Sequence, residues 1–183
     1  ESVLSQSYKN YELLICDDGS TDNTKEVFMS RYADNSRVRF LSGKHAGVSQ
    51  ARNRGLEHSG GSLIAYLDSD NAWTKNYLLI MVHYLKEHAN RSSIYCGIRI
   101  TDKIRNLKYI RMQDYDRRAL LIRNFIDINV FMHERKLFEK HGGFHPDLAP
   151  LEDWELIIRY TQQDAPLMLD CCLADYYIQD DID

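Results

Sequence analysis

Glu12-Leu13-Leu14-Ile15-Cys16-Asp17-Asp18-Gly19-Ser20-Thr21-Asp22 decides the fold. A short apolar run stops at two carboxylates, a glycine permits an unusual turn, and Ser, Thr and Asp then suit a helix start. Val27, Phe28 and Arg31 follow at helical spacing, so residues 12–16 read as a strand and 22–32 as a helix. The same unit recurs outward, with strands at 37–41 and 63–67 and helices at 48–58 and 77–87. Strands alternating with helices of about ten residues predict an α/β fold, a mostly parallel sheet with helices on both faces. Ligands of such sheets bind outside the carboxyl ends of strands, where Asp18 and Asp68 both fall. The second half is less regular, with strands at 94–100, 129–133 and 167–172 and a helix at 152–162.

The chain has 183 residues, 44% of them hydrophobic, and no Pro/Gly/Ser-rich linker, so residues 1–183 read as a single domain. Its 23 basic and 27 acidic residues are spread along the sequence and give a net charge of -4. That distribution lacks the basic stripe of a nucleic-acid binder. The apolar runs fall far short of the ~20 residues that span a bilayer. Cys16, Cys96, Cys171 and Cys172 have no CxxC spacing and read as reduced, strand-borne apolar residues, not zinc ligands. The chain does not begin with Met and opens on what reads as a helix end, so an upstream start is expected.

Asp17 and Asp18 can accept hydrogen bonds from a base, or can simply belong to a capped turn. Their adjacency breaks the Asp-x-Asp spacing of phosphatase-type acidic motifs. Asp68-Ser69-Asp70 places two carboxylates one residue apart after an apolar strand, a pattern that suits a hard divalent cation and also occurs in plain surface turns. Between these loops, Gly47-Val48-Ser49-Gln50-Ala51-Arg52-Asn53-Arg54-Gly55 opens a helix with Arg52 and Asn53 in its first turns, which suits phosphate binding.

Taken in order, CDDGSTDNT, GVSQARNRG, LIAYLDSDN and the later GGF with LEDWEL resemble the GT-A glycosyltransferases of family 2, nearly from end to end. The resemblance implies a GT-A, Rossmann-like sheet and a nucleoside-diphosphate sugar donor, with UDP expected. Asp17 and Asp18 then fall at the nucleotide base, Arg52 and Asn53 near the donor, Asp68 beside ribose or sugar, and Asp70 at Mn2+ or Mg2+. Asp153 matches the general base of inverting members, with Glu152 as its substitute. Trp154 becomes a candidate wall for a saccharide or lipid-linked acceptor. Leu156, Ile157 and Tyr160 share its helix face, so Asp153 is expected to point inward.

Two departures are visible. The family's first apolar strand is not in the sequence, so a gap in the sheet is expected, and Gln179 stands where many members carry a His. The implied setting is bacterial surface-polysaccharide assembly in the cytoplasm or at the inner membrane face, any peripheral membrane contact coming from residues outside this chain. A nucleotidyltransferase and a silent nucleotide-sugar-binding module are the rival readings.

Overall fold

The computed structural model describes residues 1–179. An opening turn, with Ser5 N bonded to Glu1 O, is docked by Gln6, which is fully buried. The Gln6 amide donates to Thr74 O at 2.7 Å and accepts from Leu78 N at 2.9 Å, so this buried polar group loses no hydrogen bonds.

β1 (Leu13–Asp17), α1 (Thr24–Tyr32), β2 (Val38–Ser42) and α2 (Val48–His58) follow. Next come β3 (Leu63–Ala65), β4 (Ala72–Trp73), α3 (Tyr77–Glu87), β5 (Ser93–Asp102) and β6 (Leu107–Arg111). A short α4 (Arg117–Leu120) leads through a 3-10 turn at Ile128–Val130 to β7 (Phe131–Glu134), α5 (Arg135–His141), α6 (Glu152–Tyr160) and β8 (Leu167–Ile178).

The α/β class and the helix positions agree with the sequence. Among the described residues the strands form two sheets, a parallel β1–β2 pair and a mixed sheet ordered β3-β7-β5-β8-β4 with β6 beside β5. In the second sheet β5–β8 is parallel and the remaining pairings are antiparallel. Leu13 of β1 nevertheless packs on the same core cluster as Leu63 and Ala65 of β3.

Alternation along the strands divides the core between two faces. Ile94, Cys96, Ile98 and Ile100 of β5 face α3, whose Tyr77, Met81 and Leu85 are buried. Tyr95 of β5 and Phe131 of β7 face the opposite side, against Leu56 of α2 and Leu156, Ile157 and Tyr160 of α6. Each such buried side chain contributes roughly 1.5–3 kcal/mol, so the two faces, not helix propensity, hold α3 and α6 in place. No helix among the described residues is long and apolar enough to cross a membrane.

Candidate functional site

α2 carries both halves of the site. Gly47 begins it at φ 91°, a left-handed backbone value that favours glycine. This turn aims the Ala46 and Gly47 amides at Asp18, which accepts them at 2.9 and 2.8 Å on its two carboxylate oxygens. The His45 ring lies 3.0 Å from the same carboxylate. Desolvation pulls the Asp18 carboxyl upward, but the Ala46 and Gly47 hydrogen bonds and the His45 and Arg54 charges outweigh it and hold the group below its ordinary range. Asp18 is therefore ionised and tied to the positive end of α2, with lone pairs left for a ligand. Asp17 is held low chiefly by Ser20, and accepts from Ser20 N at 3.1 Å and Ser42 Oγ at 3.3 Å.

Arg52 lies five residues beyond Gly47, about 7 Å further along the helix axis. Its guanidinium donates to Asp68 Oδ1 at 2.7 Å, sits 3.5 Å from Glu152 Oε1, and covers the Phe144 ring at 5.4 Å. Asn53 points elsewhere. Its amide donates to Phe144 O at 2.9 Å and accepts from Phe144 N at 2.7 Å, fixing the ring over which Arg52 lies. A Cβ on Gly143 would collide with the Asn53 side chain, which explains the second glycine of GGF.

Asp68 lies beyond the end of β3, which is shorter than residues 63–67. The Asp68 amide leaves the ladder and donates to Asn129 Oδ1 at 2.7 Å, while Asn129 Nδ2 donates to Asp68 Oδ2 at 3.0 Å. Asn129 also donates to Asp127 Oδ1 from Nδ2 at 2.9 Å and from its backbone at 3.0 Å. Asp127 pairs with Arg111 at 3.4 Å. One continuous polar chain thus runs from Arg111 through Asp127, Asn129 and Asp68 to Arg52 and Glu152. Sequence reading alone did not single out Asn129, Asp127 or Arg111, and gave Phe144 no role beyond its place in GGF. They come from segments distant in sequence from Arg52 and Asp68, and no local pattern announces the contact.

Glu152 is 6% exposed, and its Oε2 is buried without a protein partner among the described residues. Leu156, Ile157 and Tyr160 are buried below it as the spacing predicts, while Asp153 is half-buried. Burial pushes the Asp153 carboxyl above the ordinary aspartate value, and Glu152 and Asp127 add to the rise. The Trp154 backbone hydrogen bond, 2.6 Å, and the Arg52 charge only partly oppose it. A place in the first turn of α6 favours the ionised carboxylate, and desolvation outweighs it. Trp154 itself is pinned, its Nε1 donating to Leu120 O at 2.7 Å.

Asp70 is exposed, and no hydrogen bond or ion pair engages its side chain among the described residues. It follows Asp68 by two residues in the loop after β3, and the next residue, Asn71, accepts from Tyr177 N at 3.1 Å. No group of three His, Cys, Asp or Glu side chains is arranged to hold a metal among the described residues. The arrangement still fits a Mn2+ or Mg2+ ion that takes one or two protein carboxylates and completes its shell with phosphate oxygens and water. Asp70 has the free oxygens for it, whereas both Asp68 oxygens are engaged. Gln179 is occupied differently, its Oε1 accepting from Lys103 Nζ at 3.1 Å, and Asp180 of the same segment lies outside the described residues. A separate hollow of about 480 Å3, bordered by Lys136, His141, Tyr160 and Asp164, shares none of these site residues.

The model of the family described as Glycosyl transferase family 2 matches residues 1–150. An Escherichia coli protein, UDP-Glc:alpha-D-GlcNAc-diphosphoundecaprenol beta-1,3-glucosyltransferase WfgD, is 44% identical over 82 residues, covering 44% of this chain and 32% of its own. The chondroitin synthase of the same organism is 34% identical over 167 residues, covering 88% of this chain and 24% of its own. The chain thus spans about a third of one relative and a quarter of the other. Staphylococcus aureus TarS 1-349 in complex with UDP superposes with a TM-score of 0.78 at 17% identity, over 97% of this chain and 55% of that one, a likeness of fold.

Proposed function

The chain belongs to glycosyl transferase family 2, and we propose that it moves a sugar from a nucleoside diphosphate, UDP in the first instance, to a saccharide or lipid-linked acceptor with inversion. One observation carries the reading. Arg52 bridges Asp68 and Glu152 in a half-buried centre, beside an Asp153 carboxylate that is more basic than usual. A carboxylate made more basic by burial beside this charged centre is suited to accept a proton.

In this reading Asp18 receives the base, and Arg52 and Asp68 orient the ribose and sugar. Asn53 contributes by holding Phe144 beneath Arg52. Asp153 takes the acceptor hydroxyl proton as the acceptor oxygen bonds to the anomeric carbon, and the bond to the diphosphate oxygen breaks with its electron pair leaving on the diphosphate. When bound through Asp70, Mn2+ or Mg2+ supplies charge neutralisation at the departing group. The name of WfgD motivates UDP and a diphosphate-lipid acceptor, the UDP bound in the TarS structure agrees with that nucleotide, and the family resemblance supplies the setting of surface-polysaccharide synthesis at the inner membrane face.

The test is calorimetry with UDP and Mn2+, followed by UDP release from UDP-sugars with added acceptors. UDP binding that survives Asp153→Asn while turnover disappears supports the reading. No nucleoside-diphosphate binding by the full-length protein, or pyrophosphate release from a nucleoside triphosphate, sinks it. Nucleotide binding without transfer to any acceptor would assign the chain to the silent modules.

A further inference from the structure

Arg117-Arg118-Ala119-Leu120-Leu121-Ile122-Arg123 meets the site above through the Leu120 carbonyl, which accepts from Trp154 Nε1, and it turns two large apolar side chains to solvent. Leu121 is 54% and Ile122 80% exposed, whereas Leu120 between them and the core is completely buried. The backbone is held firmly. Asp116 caps α4 through Arg118 N at 2.8 Å and Ala119 N at 3.3 Å, Arg117 Nη1 donates to Ile158 O at 2.6 Å, and Trp154 anchors the Leu120 carbonyl. These apolar side chains are therefore presented by a fixed scaffold.

The surface extends onto β6. Ile110 and Met112, exposed to 58% and 40%, border a groove of about 290 Å3 with Arg123, Asn124 and Phe125, and Arg123 is tied across it to Gln113 at 2.6 Å. Arg118 and Arg123 flank the apolar tip, and residues 117–123 contain no acid. Exposed apolar residues flanked by Arg118 and Arg123, with the exposed Asp114 and Asp116 confined to the N-terminal side of the segment, suit a bilayer surface, where the apolar residues enter the acyl boundary and the cations meet lipid phosphates. The whole chain, at -4, is repelled by an anionic membrane, so attraction has to come from a local patch with a defined orientation.

We infer that the Leu121–Ile122 tip with Arg118 and Arg123 docks this chain onto an anionic lipid surface. Trp154 links the tip directly to the first turn of α6, which carries Asp153. Docking there places the base beside the membrane surface, where the diphosphate and first sugars of a lipid-linked acceptor lie. The purpose assigned to the contact rests on the proposed transfer reaction, but the contact itself does not.

Co-sedimentation of the full chain with vesicles tests it. Wild type is expected to bind phosphatidylglycerol-containing vesicles, to ignore pure phosphatidylcholine, and to lose binding as salt rises. Leu121→Ser with Ile122→Ser, and separately Arg118→Glu with Arg123→Glu, are each expected to weaken partitioning about tenfold or more. All four side chains are exposed, so thermal melts and UDP binding should be unchanged. Absence of wild-type binding, equal binding to both lipids, or variants that bind like wild type overturn the inference. Self-association abolished by the same serine pair, without vesicle binding, would also overturn it and assign the surface to a second copy. Vesicle binding without transfer leaves the inference standing and removes the transfer reading, whereas transfer to a short soluble acceptor without vesicle binding does the reverse.

Discussion

The side chain of Asn129 grips Asp68 twice, donating from Nδ2 to Oδ2 at 3.0 Å and accepting from the Asp68 backbone amide at 2.7 Å. Asn129 is 1% exposed, and its backbone carbonyl accepts from Trp73 Nε1 at 2.7 Å, so its position is set by the core. Asp68 therefore reaches Arg52 from a rigid support. Asn129→Asp keeps the shape but removes both Nδ2 donors and adds charge between Asp68 and Asp127. A lost partner at a buried group costs roughly 1–3 kcal/mol. The expected outcome is a large rise in donor KM with a smaller change in kcat, measured by steady-state UDP release. A melt that drops with both kinetic constants unchanged would make Asn129 purely structural.

Asp153 gives two linked expectations. As the base must be ionised, the acidic limb of kcat/KM should lie above the ordinary aspartate range and vanish with Asp153→Asn, whose turnover should be negligible. Its folded value is raised above the unfolded one, so ionisation at neutral pH opposes folding, and Asp153→Asn should melt at or above the wild-type temperature. A clear fall in melting temperature contradicts that expectation.

Asp18 has two jobs that substitutions can separate. Asp18→Ala removes both acceptors from the Ala46 and Gly47 amides and should cost about 1 kcal/mol, as lost helix caps do. Asp18→Asn keeps one acceptor oxygen and should melt closer to wild type, while UDP affinity, measured by calorimetry, falls in both variants. Unchanged UDP affinity in both leaves Asp18 as a cap alone.

The helices of the first half and its first three strands were legible because each is bounded by local chemistry, whereas the two-residue β4 was not. Gly47 and the run from Val48 give α2 its observed limits, and Tyr77 to Glu87 gives α3. Strand direction was not legible in the second half. Residues 94–100 read only as an apolar run, and which neighbours β5 meets depends on chain paths that periodicity does not encode. The same holds for the site. Asp18, Arg52, Asp68 and Asp153 sit in recognisable motifs, whereas Asn129 lies in a stretch that reads as strand yet serves as the support beneath Asp68. β6, with four of its five residues exposed, carries too little pattern to announce itself.

His133 supplies a stability test independent of chemistry. It is completely buried on β7, lies 2.8 Å from the Tyr66 hydroxyl at Nε2, and lies 2.9 Å from Glu134 O at Nδ1, which makes Nδ1 the protonated nitrogen because a carbonyl only accepts. Burial, and secondarily the Arg135 charge, lower it from 6.5 to about 4. The unfolded chain thus binds a proton near pH 6.5 that the folded chain refuses until near pH 4, so the contribution is complete above pH 6.5 and is lost as pH falls between these values. The difference corresponds to roughly 3 kcal/mol. Denaturant midpoints measured from pH 7.5 to 4 should fall for wild type. They should fall less steeply for His133→Gln, which is less stable at neutral pH but has no imidazole to titrate. Parallel slopes for the two proteins would mean that His133 does not govern the acid limb.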